Sequence, residues 1–285
     1  MIKQVTRKSM EIRFSGRSTD YISPSFGFGC LLNCSYCYMK RHGKQGVSIA
    51  TNTDEILQAI DTHYHFYADV EKPNQTHPEF TTYDISCNED FALHMKHHEW
   101  EKIFDYFKHK DGVMASFATK MVMPNLLTYN PQGKVRIRYS LMPQRISSIV
   151  EPNTSKVTQR IQAIDEFIEH GYDVHVNFSP VIMYNGWEQD YRDLFRELDA
   201  SLKYHDRVQA EVIFLTHNEK KHFDNLAQGL EGEHLLWNPK LQEPKTSQYG
   251  GANVRYKRDL KREGINRFKT MVSEEIPWCN IRYIF

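Results

Sequence analysis

Three cysteines, Cys30, Cys34 and Cys37, stand at the spacing C-x3-C-x2-C in the stretch from Gly29 to Tyr38. Thiols this close in sequence can converge on one point. Iron–sulfur clusters of the ferredoxin type take four cysteine thiolates. No fourth cysteine is local here, so a [4Fe-4S] cluster on this loop keeps one iron open to a small molecule. Two other readings of the thiols remain. Zinc takes Cys and His in sets of four, and His42 lies five residues past Cys37, but no second C-x2-C accompanies it, and the H-x-H of His63-Tyr64-His65 lies well apart from the cysteine loop. Plain buried thiols are the other; oxidised pairing is also open, but an odd number of cysteines leaves one over.

Other residues able to do chemistry sit where strands are expected to end. Cys87 closes a strand in Ile85-Ser86-Cys87-Asn88-Glu89-Asp90, followed by Thr119-Lys120 and Ser140 at the ends of the next two. An S–H bond is weak enough to quench a carbon radical by atom transfer, although a lone cysteine is often just a small buried residue. Lys120 offers a cation for a carboxylate. Ser140 is equally suited to capping a helix. Between Arg255 and Lys269 seven Lys or Arg face two acids. Such a run is either a solvated helix face or a surface for phosphates, with Tyr256 as a stacking or wedge group.

The elements needed to position these groups follow from periodicity. Thr53 to Tyr67 repeats Ile56, Ile60 and Tyr64 at helical spacing. Phe80 to Cys87 is expected as a strand and His98 to Phe107 as a helix. Gly112 to Ala118 is a strand, Met123 to Thr128 a short helix, and Lys134 to Ser140 an alternating strand. Ser155 to His170 is a helix with Val157, Ile161, Ile164 and Ile168 on one stripe, closed by Gly171. Asp173 to Pro180, a helix striped by Trp187, Tyr191, Leu194, Leu198 and Leu202, and Gln209 to Leu215 complete the series. Strands alternating with helices predict right-handed βαβ units around a parallel sheet. Six such units predict an α/β fold, a partial (β/α)6 barrel of the TIM type with its site at the strand C-termini. The glycines of Phe26-Gly27-Phe28-Gly29 are expected to let backbone approach an inorganic centre.

The chain has 285 residues, 40% hydrophobic and 25% charged, with 36 Lys+Arg balancing 36 Asp+Glu. This is the composition of a globular protein without global charge steering. Clustered cysteines do not make a disulfide framework and fit a reducing cytoplasm. The polar first fourteen residues are not a secretory signal, and no apolar run approaches the roughly 18 residues of a membrane helix. One domain is expected, with 1–20 as an extension, 21–216 as the partial barrel and 217–285 on the substrate side.

With Tyr36 before the last cysteine, the loop resembles the signature of the radical S-adenosylmethionine superfamily. Later matches sharpen the resemblance: Ser86-Cys87-x-x-Asp90, Thr119-Lys120, Arg138-Tyr139-Ser140, Glu151-Pro152-x-Thr154, Arg160-Ile161, Gly171-Tyr172, Pro180-x-x-x-Tyr184-x-Gly186-Trp187, Asp190-Tyr191 and Arg255-Tyr256. As a set, running from about Pro24 to the C-terminus, they are similar to the spore photoproduct lyase family, radical enzymes that repair a thymine–thymine crosslink in DNA. The resemblance implies that Cys30, Cys34 and Cys37 ligate a [4Fe-4S] cluster, whose open iron chelates S-adenosylmethionine. It implies cofactor contacts from Lys120, Ser140 and Tyr38, and from the position of Glu89. Cys87 is implied as hydrogen donor to the product radical, with Tyr36 and Tyr38 flanking the site and Tyr38 relaying hydrogen. Arg255 and Tyr256, with Tyr36, are implied on the lesion. The implied reaction abstracts hydrogen from C6 of the modified thymine with a 5′-deoxyadenosyl radical, breaks the methylene bridge and returns hydrogen from Cys87. The lesion must leave the base stack to be reached.

The sequence departs from the family at named places. Glu89 replaces a small hydroxyl residue, Leu141-Met142 replaces a polar pair, and Tyr249-Gly250-Gly251-Ala252-Asn253 lengthens a turn on the lesion side. The implied partners are a DNA lesion and a reductant such as flavodoxin or ferredoxin. The alternatives are a radical enzyme acting on another thymine derivative or nucleobase, and a metal-stabilised nucleic-acid binder. The histidines from His94 to His98 are expected at the surface.

Overall fold

The structure, a computed structural model, describes residues 2–39, 46–246 and 250–285. Lys40, Arg41, His42 and Tyr249 lie outside the described residues. In chain order the elements begin with β1 (Ile2–Val5), β2 (Arg13–Phe14), β3 (Tyr21–Ile22), β4 (Gly27–Phe28), β5 (Val47–Ala50), α1 (Thr53–Tyr67), β6 (Thr81–Asp84), α2 (Phe91–His94), α3 (Trp100–His109), β7 (Val113–Thr119) and β8 (Val135–Ser140). They continue with α4 (Gln144–Val150), α5 (Val157–Glu169), β9 (Asp173–Val181), α6 (Trp187–Ser201), β10 (Gln209–Phe214), β11 (Thr216–His217), α7 (Glu219–Ala227), α8 (Glu233–Leu236), β12 (Gln242–Thr246), β13 (Ala252–Tyr256), α9 (Arg258–Glu275) and β14 (Asn280–Ile284). Two compact units are distinguished. One comprises Met1–Leu31, Gly43–Tyr139 and Ala163–His175; the other comprises Leu32–His42, Ser140–Gln162 and Val176–Phe285.

In the first unit β3, β6, β7 and β8 pair in parallel, with β2 antiparallel on β3. β7 reads Val-Met-Ala-Ser-Phe-Ala-Thr and is buried along nearly its whole length. Near-continuous apolar strands are what a parallel sheet covered on both faces requires. β8 instead alternates Val135, Ile137 and Tyr139 with Arg136 and Arg138, all buried. Two buried guanidiniums are tolerable only when paired. Arg138 donates to Asp84 at 2.7 Å and to Ser116 Oγ at 3.0 Å, and Arg136 donates to Asp173 at 2.7 Å. One face of these strands is therefore a polar ladder, and the other packs on helices. Among those helices, α3 buries Trp100, Ile103, Phe104 and Phe107. A smaller sheet orders β1, β5 and β4, so that β4, just ahead of the cysteine loop, is held by β5.

In the second unit β10 pairs in parallel with β9 on one side and β14 on the other. α6 buries Tyr191, Leu194, Phe195 and Leu198 on one stripe. Phe195 meets Phe268 of α9 at 5.4 Å between ring centroids. β12 and β13 form an antiparallel hairpin, extended by β11 on β13. α7 starts at Asn218, whose side chain accepts the Lys221 amide at 2.8 Å, a favoured N-cap arrangement.

The helices and strands expected between Thr53 and Leu215 form within a few residues of their expected bounds. From β6 onward the sequence reading did not include α2 or α4, and after β10 it named only the turn at 249–253 and the basic run; Ala252 and Asn253 of that turn belong to β13.

Candidate active site

The lead into the cysteine loop is built in the first unit. Gly29 adopts φ +95°, and its amide donates to the Asn88 carbonyl at 2.9 Å. A Cβ added at Gly29 would lie 2.4 Å from the Gly46 carbonyl oxygen, and one added at Gly27 would lie 2.1 Å from Glu89 Oε1. The glycines were expected to clear space for an inorganic centre. Their space is instead occupied by protein, the Gly46 carbonyl and the Glu89 carboxyl. Asn88 is fixed in turn by its side-chain donation to Ser25 Oγ at 2.6 Å. The half-buried thiol of Cys87 thus belongs to a turn bonded to the residue preceding Cys30. Cys279 is a contrast: it is buried, and burial pushes its thiol up to about 12.

Asp90 connects two of the matched sequence pieces. Its carboxylate caps α2 at the Leu93 amide, accepts the Thr119 hydroxyl at 2.7 Å and accepts the Lys120 amide at 2.9 Å. The segment after Cys87 and the backbone carrying Lys120 therefore share one buried anchor.

Glu89 is turned inward. Its side chain is 0% exposed, and its Oε2 meets His94 Nδ1 and His98 Nε2, each at 3.0 Å. Oε1 has no hydrogen-bond partner among the described residues. Burial raises the carboxyl pKa, but hydrogen bonds and charge from His94 and His98 outweigh it and leave the group below its ordinary value. His94 and His98 were expected at the surface. They are buried because this carboxylate needs partners, and His98 also stacks on Phe91 at 4.7 Å.

Cys34 and Cys37 belong to the second unit. The Cys37 amide donates to the Cys34 carbonyl at 3.0 Å, closing a turn, and the Ser35 amide donates to the Val150 carbonyl at 2.9 Å. The Tyr36 hydroxyl donates to Glu151. Burial pushes the Tyr36 phenol well above its ordinary value, and the Glu151 charge acts in the same direction. Glu151 is held from behind by Ser147 Oγ at 2.8 Å and by Arg160 at 3.0 Å; Arg160 also donates to Thr154 Oγ1 at 2.7 Å. The matched pieces Glu151-Pro152-x-Thr154 and Arg160-Ile161 are thereby parts of one support under Tyr36. Ser140 is buried, and its carbonyl accepts Arg160 Nη1 at 2.8 Å. Tyr38 is 39% exposed.

Two residues absent from the sequence reading reach the same turn. Lys221 Nζ donates to the Tyr36 carbonyl at 2.6 Å, and Asn225 Nδ2 donates to the Ser35 carbonyl at 2.9 Å. They lie 185 and 190 residues away along the chain, so no local motif could reveal them.

On the substrate side, Arg255 pairs across the hairpin with Glu243 at 3.0 Å. Tyr256 is 2% exposed, and its hydroxyl accepts the Met183 amide at 2.8 Å. It lines a 580 Å³ cleft with Tyr184, Trp187, Leu260 and Gly264. The basic run forms β13 and α9, and part of its charge is paired: Arg262 with Asp259 at 3.0 Å, and Arg267 with Glu188 at 2.5 Å and with Glu263.

The donor set suits an iron–sulfur cluster. Cys30, Cys34 and Cys37 are in no disulfide, and Cys34 and Cys37 flank a hydrogen-bonded turn. Among the described residues no three His, Cys, Asp or Glu gather closely enough for a single metal ion. Thiolates of a [4Fe-4S] cluster bind different irons, so the spacing needed is wider than around one zinc.

The chain resembles known proteins along its full length. The family model for spore photoproduct lyase matches residues 2–285, starting earlier than Pro24. The spore photoproduct lyase of Bacillus subtilis (strain 168) is 26% identical over 285 residues, covering 97% of this chain and 80% of that protein. The one from Geobacillus sp. (strain Y412MC61) is 24% identical over 282 residues, with coverage of 97% and 80%. A solved spore photoproduct lyase complexed with dinucleoside spore photoproduct superposes with a TM-score of 0.87 at 22% identity, covering all of this chain and 82% of that one. A mutant with bound AdoMet and the same dinucleoside gives a TM-score of 0.88 at 21% identity, again covering all of this chain and 82% of that one. The fold is accordingly the partial barrel of radical S-adenosylmethionine enzymes. With the match spanning residues 2–285, this chain belongs to the spore photoproduct lyase family.

Proposed function

We propose that this protein is a radical S-adenosylmethionine lyase that repairs the thymine–thymine crosslink of DNA known as spore photoproduct. One observation carries the reading: the turn bearing the solitary thiol Cys87 is hydrogen-bonded, Asn88 carbonyl to Gly29 amide at 2.9 Å, to the residue preceding the first cysteine of the loop. A hydrogen donor and a cluster ligand are thus fixed in a common frame. Relatives solved with the dinucleoside photoproduct and with AdoMet share the whole fold and support the assignment.

In this reading Cys30, Cys34 and Cys37 hold a [4Fe-4S] cluster. When bound and reduced by flavodoxin or ferredoxin, cluster and S-adenosylmethionine supply a 5′-deoxyadenosyl radical for hydrogen abstraction. Lys120, aimed by Asp90, and Ser140 hold the cofactor, with Tyr38 beside it. Glu89, occupied by His94 and His98, acts on the cofactor side by fixing the backbone between Gly27 and Asp90. Cys87 returns a hydrogen atom to the thymine methyl radical, and Tyr38 relays one back to the thiyl, taking it in turn from the 5′-deoxyadenosine that carries the abstracted hydrogen. Arg255 and Tyr256, from the substrate-side region 217–285, hold the lesion, with Tyr36 flanking the site. The thiol donates an atom rather than a proton, so no neighbouring base is needed.

The test is anaerobic. Reconstituted, reduced protein with S-adenosylmethionine and the synthetic dinucleoside photoproduct is expected to release thymidine. An intact cluster with no thymidine overturns the assignment. Deoxyadenosine formed without thymidine would point to another nucleobase.

A further inference from the structure

The turn from Cys34 to Cys37 is closed by the Cys37 amide on the Cys34 carbonyl. The Ser35 and Tyr36 carbonyls between them accept from α7. Lys221 and Asn225 are four residues apart, so they share one helix face one turn apart, and they donate to Tyr36 and Ser35 in that order. Lys221 is 4% exposed and Asn225 is 0% exposed, an unusual depth for a lysine.

A further layer stands behind them. Asn225 Nδ2 also donates to Glu233 Oε2 at 2.6 Å, and Glu233 Oε1 meets His217 Nε2 and His222 Nδ1, each at 2.8 Å. Glu233 therefore fixes which way the Asn225 amide points. From the other side, Glu151 accepts the Tyr36 hydroxyl, and the Val150 carbonyl accepts the Ser35 amide. Each polar group of Ser35 and Tyr36 named here is bonded to a residue far away in sequence.

We propose that Lys221 and Asn225 are positioning residues for the cluster: they fix the Cys34–Cys37 turn and so set the placement of two of its thiolate ligands. The proposal rests on the reading that this turn carries the cluster. A peptide is planar, so pinning a carbonyl outward also fixes the direction of the next residue's amide. The amides of Tyr36 and Cys37 are the ones controlled here. A turn lacking these two donors samples more conformations, and ligands held less rigidly release iron faster.

Lys221→Met keeps the length of the side chain and removes the donor; Lys221→Arg restores one. Asn225→Asp keeps the shape and removes the donor to Ser35. With reconstituted protein under anaerobic conditions, iron release to a chelator is expected to be about tenfold faster in Lys221→Met and Asn225→Asp, and close to native in Lys221→Arg. The electron paramagnetic resonance signal of the reduced cluster is expected to broaden in the two loss variants, which a role limited to overall stability would not produce. Native release rates and an unchanged signal in folded Lys221→Met overturn the proposal. If that variant does not fold, the same result in Asn225→Asp overturns it. Wild-type protein that takes up no iron would instead remove the cluster reading itself.

Discussion

The Lys120 amide and the Thr119 hydroxyl both end on the carboxylate of Asp90, at 2.9 and 2.7 Å, and the same carboxylate caps the helix that follows Cys87. Asp90→Ala removes the acceptor shared by the Leu93 amide, the Thr119 hydroxyl and the Lys120 amide. The expected cost is about 2–4 kcal/mol, from a lost cap and unsatisfied buried groups, read from urea unfolding. Affinity for S-adenosylmethionine is expected to fall with it, because the Lys120 backbone loses its anchor. Equilibrium dialysis of folded Asp90→Asn, which keeps an acceptor, separates the two effects.

Gly27 is close to Glu89 in a way that a methyl group cannot share. Gly27→Ala is expected to displace the Glu89 carboxyl from His94 and His98 and to cost about 1–3 kcal/mol by overpacking. Gly29→Ala meets backbone at Gly46 in addition to a strained φ, so it is expected to lower iron loading as well as the melting temperature. Iron content after reconstitution distinguishes the two variants.

Tyr36 and Glu151 make unequal contributions. Tyr36→Phe leaves Glu151 bonded to Ser147 and Arg160 and is expected to cost about 1–2 kcal/mol. Glu151→Ala leaves Arg160 buried without its carboxylate and is expected to cost about 3–5 kcal/mol. The raised Tyr36 pKa keeps the phenol protonated at neutral pH, so Tyr36→Phe is expected to leave the shape of the pH–rate profile unchanged.

Glu89 gives an acid-sensitive contribution whose sign follows from its lowered pKa. The unfolded carboxyl, near 4.5, takes up a proton before the folded one does. The stabilisation is therefore fully present above about pH 4.5 and is lost as the pH falls through the lower folded value. Glu89→Gln is expected to flatten the dependence of the urea midpoint on pH below 4.5 while lowering that midpoint at pH 7. A slope identical to wild type would show that the carboxyl does not titrate with unfolding.

The central strands and helices could be read from sequence because their signals are local. α1 repeats its apolar residues at helical spacing, and β8 alternates Val135, Ile137 and Tyr139 with arginines. The same alternation did not say what Arg136 and Arg138 bond to, since Asp173 and Asp84 come from other elements. Beyond Thr216 the signals fade. β12 reads Gln-Glu-Pro-Lys-Thr, a strand with a proline and charges, which is acceptable because it pairs only with β13. In the site, cysteine spacing was visible and its support was not. Glu89 stood out as a departure, but the histidines from His94 to His98 were expected at the surface, since no local pattern pairs His94 and His98 with that carboxyl. Lys221 lies in Glu-Lys-Lys-His, a tetrapeptide that looks solvated.

The donation from Lys221 to Tyr36 joins residues separated by 185 positions. During synthesis, Cys30, Cys34 and Cys37 emerge from the ribosome long before the helix that braces them. Until α7 and Glu233 arrive, the turn lacks the donors proposed to brace it. On that proposal, truncated translation products ending before Glu219 are expected to be poor recipients of a cluster.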